Sequence, residues 1–131
     1  GKLEITSELD ATITYHDPCH LGRHSGVYEP PREVYKKIPG VTLVEMRRNR
    51  ENAWCCGAGG GVKIGYPDWA LEISKERLEE AKKTGAAILS STCPFCKTNL
   101  SDANQKFEMG FQVMDLIELM DQLEVTIKKE E

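Results

Sequence analysis

Between Gly85 and Cys93 the chain runs Ala86-Ala87-Ile88-Leu89-Ser90, a short unbroken stretch of small and apolar residues. Such a run is what a strand needs when both of its faces are covered, and a parallel sheet with helices on either side supplies that cover. The rest of the chain can be read against this requirement. Ala11 to His16 is β-branched, short and bounded by Asp17-Pro18, which predicts a strand; Val41 to Met46 predicts a second, Ala86 to Ser90 the third and Phe111 to Met114 a fourth. Helical segments separate them. Pro30-Pro31 suit the first turn of a helix over Arg32–Ile38, stopped by Pro39-Gly40. Asp68 is a good N-cap for a helix from Trp69 to about Lys83, with Leu71, Ser74, Leu78 and Ala81 on its inner stripe. Pro94 opens a helix reaching about Phe107, and Asp115 with Glu118 predicts a capping box for a last helix whose Leu116, Leu119, Met120 and Leu123 turn inward.

The alternation predicts an α/β fold: a roughly four-stranded parallel sheet in a Rossmann-like three-layer sandwich with right-handed crossovers. Residues 1–10 read as a linker or N-terminal extension, 11–125 as one domain and 126–131 as a frayed tail. At 131 residues the chain has room for one core and needs no metal merely to fold, so a cluster of metal-binding side chains asks for a functional reason. The net charge of -4 gives no footprint for nucleic acid or an anionic membrane. Neither a bilayer-length apolar run nor a signal-peptide core is present. The expectation is a soluble, cytoplasmic chain with no direct membrane insertion, reaching a membrane only through partner subunits. It starts at Gly1, which points to processing or to excision from a longer chain.

Five cysteines fall at Cys19, Cys55, Cys56, Cys93 and Cys96. In a reducing compartment an odd number argues against disulfide scaffolding. Cys19 follows the first predicted strand, Cys55-Cys56 the second, and Cys93 and Cys96 the third, so a parallel sheet gathers all five at the edge where open α/β sheets bind ligands. Four uses remain in view: inert core packing, a thiol–disulfide centre, a structural zinc site and an iron–sulfur centre. A Cys-x-x-Cys at a helix start fits redox thiols but leaves three cysteines unused. Zinc needs only four thiolates. Adjacent cysteines chelate one small ion poorly and can reach different irons of a larger cluster, which favours iron–sulfur.

Three motifs, His16-Asp17-Pro18-Cys19-His20-Leu21-Gly22-Arg23, Cys55-Cys56-Gly57-Ala58-Gly59-Gly60-Gly61 and Cys93-Pro94-Phe95-Cys96, occur in order across most of the domain. Together they resemble the cysteine-rich CCG domain of heterodisulfide reductase and related iron–sulfur oxidoreductases. The resemblance implies a [4Fe-4S] cluster, non-cubane as in the heterodisulfide reductases, with Cys19, Cys55, Cys56, Cys93 and Cys96 as ligands. It also implies a disulfide or thiol substrate and, as partners, other redox subunits or a second CCG domain. This chain carries one CCG copy, most like the C-terminal one of a longer protein. Because some copies bind zinc, a non-catalytic zinc-binding interaction domain stands as the alternative.

Other residues carry weaker expectations. The glycine run from Gly57 lets backbone N–H groups approach cluster sulfurs. His16, His20 and His24 read mainly as loop histidines that bond backbone, with His20, beside Cys19, the best candidate donor to the site. Arg47, Arg48 and Arg50 either offset cluster charge and dock an acidic partner or form a solvated basic loop. Trp54 shields the site or belongs to the core.

Overall fold

A computed structural model describes residues 3–127. In chain order the elements are β1 (Leu3–Ile5), β2 (Ala11–His16), a π-helical turn (His20–His24), α1 (Glu29–Lys36), β3 (Val41–Val44), a 3-10 turn (Arg50–Asn52), α2 (Val62–Gly65), α3 (Pro67–Lys82), β4 (Ile88–Ser91), α4 (Pro94–Lys106), β5 (Gln112–Asp115), α5 (Leu116–Asp121) and β6 (Val125–Ile127). Four strands form a parallel sheet in the order β3-β2-β4-β5. Ala11 pairs with Val41, Ile13 with Ile88, and Ile88 with Gln112. All four residues of β4 are buried, as its composition demands.

Two hydrophobic clusters lie on opposite faces of this sheet. Ile13, Tyr15, Ile88 and Met114 point to the side covered by Tyr35 of α1 and Leu119 of α5. Leu89 points to the other, where Leu78 and Ala81 of α3 meet Cys96, Leu100 and Ala103 of α4. The period-2 alternation of a strand puts Ile88 and Leu89 in different clusters, and that makes three layers. The expected α/β sandwich is the observed one.

Several boundaries differ from the sequence reading. Asp68 does not cap α3: Pro67 takes the first helical position, Tyr66 precedes it, and Asp68 lies in the first turn, where its charge still favours the helix N-terminus. Between the second predicted strand and the helix read from Trp69, the chain forms the 3-10 turn and α2. The capping box of α5 is present, with the Asp115 side chain accepting from the Ile117 amide and Glu118 accepting from the Asp115 amide. Residues 3–5 and 125–127, read as parts of an extension and of the domain end and tail, pair as an antiparallel two-stranded ribbon, with Leu3 opposite Ile127. Residues 128–131 of the expected tail lie outside the described residues.

Candidate metal centre

The strand order reverses between β2 and β4, since β3 is added on one side of β2 and β4, then β5, on the other. At such a switch point the loops leaving the two strands diverge and open a crevice at the carboxyl edge. Cys19 lies just beyond β2 and Cys93 just beyond β4. A cleft of about 350 Å³ sits between these loops, lined by Pro18, His20, Leu21, Thr92, Cys93 and Pro94.

Each cysteine loop is fixed by its own sequence. Asp17, buried between β2 and Cys19, receives both Nη atoms of Arg32 at 2.7 and 2.6 Å and the amide of Arg50 at 2.8 Å. Arg32 is itself fully buried and also reaches Glu45 at 2.7 Å. A bidentate pair of this kind costs several kcal/mol to break by removing one partner, because the other charge is left stranded. At the third loop, Cys93 is the residue before α4, Pro94 its first position and Cys96 lies within its first turn.

The Cys55-Cys56 loop is held from several directions. Arg23 Nη2 donates to the Ala53 carbonyl at 2.6 Å, Trp54 Nε1 to the Ile73 carbonyl at 3.1 Å, and Asn99 Nδ2 to the Cys56 carbonyl at 2.6 Å. Gly57 takes φ 91°, and a Cβ there would lie 2.7 Å from the Ala70 carbonyl oxygen, so only glycine fits against α3. Its amide donates to Cys55 Sγ at 3.3 Å, and the Ala58 amide next to it favours the ionised Cys56 thiol. Gly59, Gly60 and Gly61 face open space.

All five thiols are free. Cys56 and Cys96 are buried, Cys19 and Cys93 half-buried and Cys55 exposed. The Cys56 and Cys96 sulfurs lie within 4.8 Å of each other. The neighbouring Cys56 thiol, followed by burial, pushes the Cys55 thiol well up against the opposing pull of the Gly57 amide and the Arg23 guanidinium. For Cys56 the Cys55 thiol acts downward, yet the Cys96 thiol and burial prevail and raise it to about 12. Thiols this crowded do not ionise together in water; a multivalent cation at the sulfurs is what deprotonates such a set. The donor chemistry therefore fits a thiolate-ligated centre, and the exposed Cys55 beside the buried Cys56 fits one larger than a single ion.

Cys56 and Cys96 come together with Cys55 next to Cys56, Cys93 packs against the same buried cluster, and Cys19 stands in the turn whose Pro18, His20 and Leu21 line the cleft. The histidine and arginine expectations fare differently. His16 is the buried last residue of β2, and one of its ring nitrogens lies within 4.8 Å of the Cys56 and Cys96 sulfurs. His20 and His24 are exposed, their rings 5.2 Å apart. Arg48 lies over the Trp54 ring at 4.6 Å and pairs with Glu80, while Arg50 pairs with Glu29, so these two brace the loop. The guanidinium that acts on a site thiol is that of Arg23, whose place two residues before the serine of the first turn gave no charge pattern to find it by. Asn99 and Arg77 escaped sequence reading as well, because polar residues on a helix usually face water.

The family model for the cysteine-rich CCG domain matches residues 13–101, which include every cysteine of the site. The chain belongs to the CCG cysteine-rich domain family. This CCG domain is 54% identical over 121 residues to one subunit of the dihydromethanophenazine:CoB–CoM heterodisulfide reductase of Methanosarcina acetivorans, covering 92% of the chain and 30% of that subunit. It is 46% identical over 124 residues to the probable iron-sulfur-binding oxidoreductase FadF of Bacillus subtilis, covering 93% of the chain and 18% of that protein. Against one subunit of the fumarate reductase (CoM/CoB) of Methanothermobacter marburgensis it is 41% identical over 114 residues, covering 86% of the chain and 23% of that subunit. The CCG domain thus spans less than a third of the length of these curated relatives. Its relatives are oxidoreductases and subunits of oxidoreductase complexes. Among the described residues no helix is long and apolar enough to cross a membrane.

Proposed function

We propose that this CCG domain binds an iron–sulfur cluster through Cys19, Cys55, Cys56, Cys93 and Cys96 and works as the redox module of a heterodisulfide reductase-like oxidoreductase. The observation that supports this reading is the placement of the cysteines after three strands at one edge of the sheet, with the Cys56 and Cys96 sulfurs within 4.8 Å of each other. In the fuller form of the proposal the centre is a [4Fe-4S] cluster of non-cubane type, and the substrate is a disulfide or thiol held against another redox subunit or a second CCG domain. Bound there, the cluster supplies one-electron chemistry and an iron able to take a substrate sulfur. The chain's own residues do the rest. The Asp17–Arg32 pair fixes the Cys19 turn, Asn99 fixes the Cys56 peptide, and Arg23 supplies positive charge beside Cys55. The work is placed in the cytoplasm, with any membrane contact made through partner subunits.

Anaerobic purification followed by iron, sulfide and zinc analysis tests the proposal. Brown protein with matching iron and sulfide and a paramagnetic signal in one redox state is the expected result. Colourless protein with one zinc per chain and no sulfide overturns it in favour of a zinc-binding interaction domain.

A further inference from the structure

His16 and Arg77 are separated by 61 residues, both are buried, and Arg77 Nε lies 2.8 Å from His16 Nδ1. An arginine nitrogen can only donate. Nδ1 is therefore the ring's lone pair, and the single proton of a neutral imidazole sits on Nε2. An imidazolium is excluded by the same contact, because it would set N–H against N–H. Arg77 is not free to turn away. Its Nη1 donates to the Arg48 carbonyl at 2.7 Å and to Glu80 at 3.2 Å, and Glu80 is held in turn by the Arg48 amide at 2.6 Å and its Nε at 2.8 Å. The strand beneath is pinned as well, with Ser91 Oγ donating to the His16 carbonyl at 3.0 Å.

A ring nitrogen of His16 and the sulfurs of Cys56 and Cys96 share a space 4.8 Å across, an arrangement that taken alone invites a single metal ion bound by all three. The arginine argues against it. With Nδ1 occupied, ligation would have to use Nε2 and strip its proton, leaving an imidazolate. We propose instead that His16 is a positioning residue: locked by Arg77 as the Nε2–H tautomer, it donates to sulfur of the centre held by Cys56 and Cys96 and raises its reduction potential without ligating it. This inference rests on the iron–sulfur reading given above. Hydrogen bonds to sulfur and nearby positive charge both favour the more negative, reduced state of a thiolate-ligated centre, so His16 and Arg77 act in the same direction.

The test uses the full chain with its histidines labelled with nitrogen-15, first without metal and then loaded anaerobically with iron and sulfide. In the metal-free chain, long-range proton–nitrogen correlation should show His16 as the Nε2–H tautomer at neutral pH, and Arg77→Met should release it into a mixture; a native His16 protonated on Nδ1 overturns the proposal whether or not a cluster forms. In the loaded chain, His16→Met should keep its iron and sulfide but shift the reduction equilibrium about tenfold, which is ~59 mV lower for one electron. His16→Gln, whose amide can accept from Arg77 and donate to sulfur, should restore the native potential. Strong nitrogen-15 coupling to the centre, or an unmoved potential in His16→Met with full iron content, overturns the assignment. Those results differ from failure of the underlying reading, which would show as a native chain that takes up no iron and sulfide.

Discussion

Asn99→Ala is the most informative single change outside the cysteines. Asn99 has no exposure to solvent; its Nδ2 donates to the Cys56 carbonyl at 2.6 Å and the Ala70 carbonyl at 3.0 Å, and its Oδ1 accepts from Lys63 Nζ at 3.0 Å. Truncation strands the Cys56 carbonyl, which water cannot readily reach, and takes a second bond from the Ala70 carbonyl inside α3. Each unpaired buried acceptor costs about 1–3 kcal/mol, so after partial relaxation a loss of roughly 3 kcal/mol is expected. In a domain of this size that is about 10 °C in Tm. Lys63→Met provides the control: it removes the exposed half of the network, the bridge to the half-exposed Asp102, and leaves both Nδ2 bonds, so it should cost less than about 1 kcal/mol. Thermal melts of the metal-free chain measure both. The second readout is local. If Asn99 fixes the Cys56 peptide, Asn99→Ala should make the buried Cys56 thiol react faster with a disulfide reagent at temperatures where the chain is still folded. A Tm within about 3 °C of the parent, or Lys63→Met as damaging as Asn99→Ala, would refute the reasoning.

Cys19→Ser, Cys55→Ser, Cys56→Ser and Cys93→Ser should each lower cluster content or alter its spectrum, since serine is a poor ligand for a soft centre; two or more variants with native iron and spectrum would show that the five cysteines do not form one site. Gly57→Ala should destabilise by more than about 2 kcal/mol, through strain at φ 91° and overlap with Ala70, whereas Gly60→Ala, at φ 66° with nothing nearby, should cost only about 1 kcal/mol in a denaturant titration. Burial pushes the Glu80 carboxyl up, but hydrogen bonds from the Arg48 side chain and amide and the charge of Arg77 outweigh it and hold the group below its ordinary value of 4.5. Its contribution to stability is therefore full above that value and lost as the pH falls through the lowered one; Glu80→Gln should flatten the acid limb of the stability–pH curve, and an unchanged limb would contradict the pairing.

Most of the sheet was legible because the evidence for it is local. Ala11–His16 carries its own β-branched signal and its own stop at Asp17-Pro18, and the strand falls on those residues. The box at Asp115 and Glu118 is contained within four residues, and it forms. What sequence reading lost depended on distant partners. Leu3–Ile5 is too short to announce a strand; it becomes one because Val125–Ile127 lies alongside. Arg77 looks like a solvent-facing charge on α3 until β2 brings His16 under it. His20 drew attention by standing next to Cys19, yet adjacency in a loop sets no direction, and the strand end at His16 is what reaches the Cys56–Cys96 pair.

The order β3-β2-β4-β5 also explains why the second cysteine loop is long and heavily latched. Cys19 and Cys93 follow the two central strands and flank the crevice directly. Cys55 and Cys56 follow β3, on the far side of β2 from β4, so their loop must cross the carboxyl end of β2 before Cys56 can meet Cys96. A crossing segment has no strand partner to hold it and would by default be mobile. Here Asp17 takes the Arg50 amide as the loop sets out, Arg23 takes the Ala53 carbonyl midway, and Asn99 and Trp54 tie its far end to α4 and α3. These contacts fasten residues 50–57 to the β2–α1 turn, α3 and α4. The proposed centre therefore depends on Asp17, Arg23 and Asn99 for its geometry as much as on the thiols for its chemistry, and the first two of these lie in the same His16–Arg23 motif as Cys19.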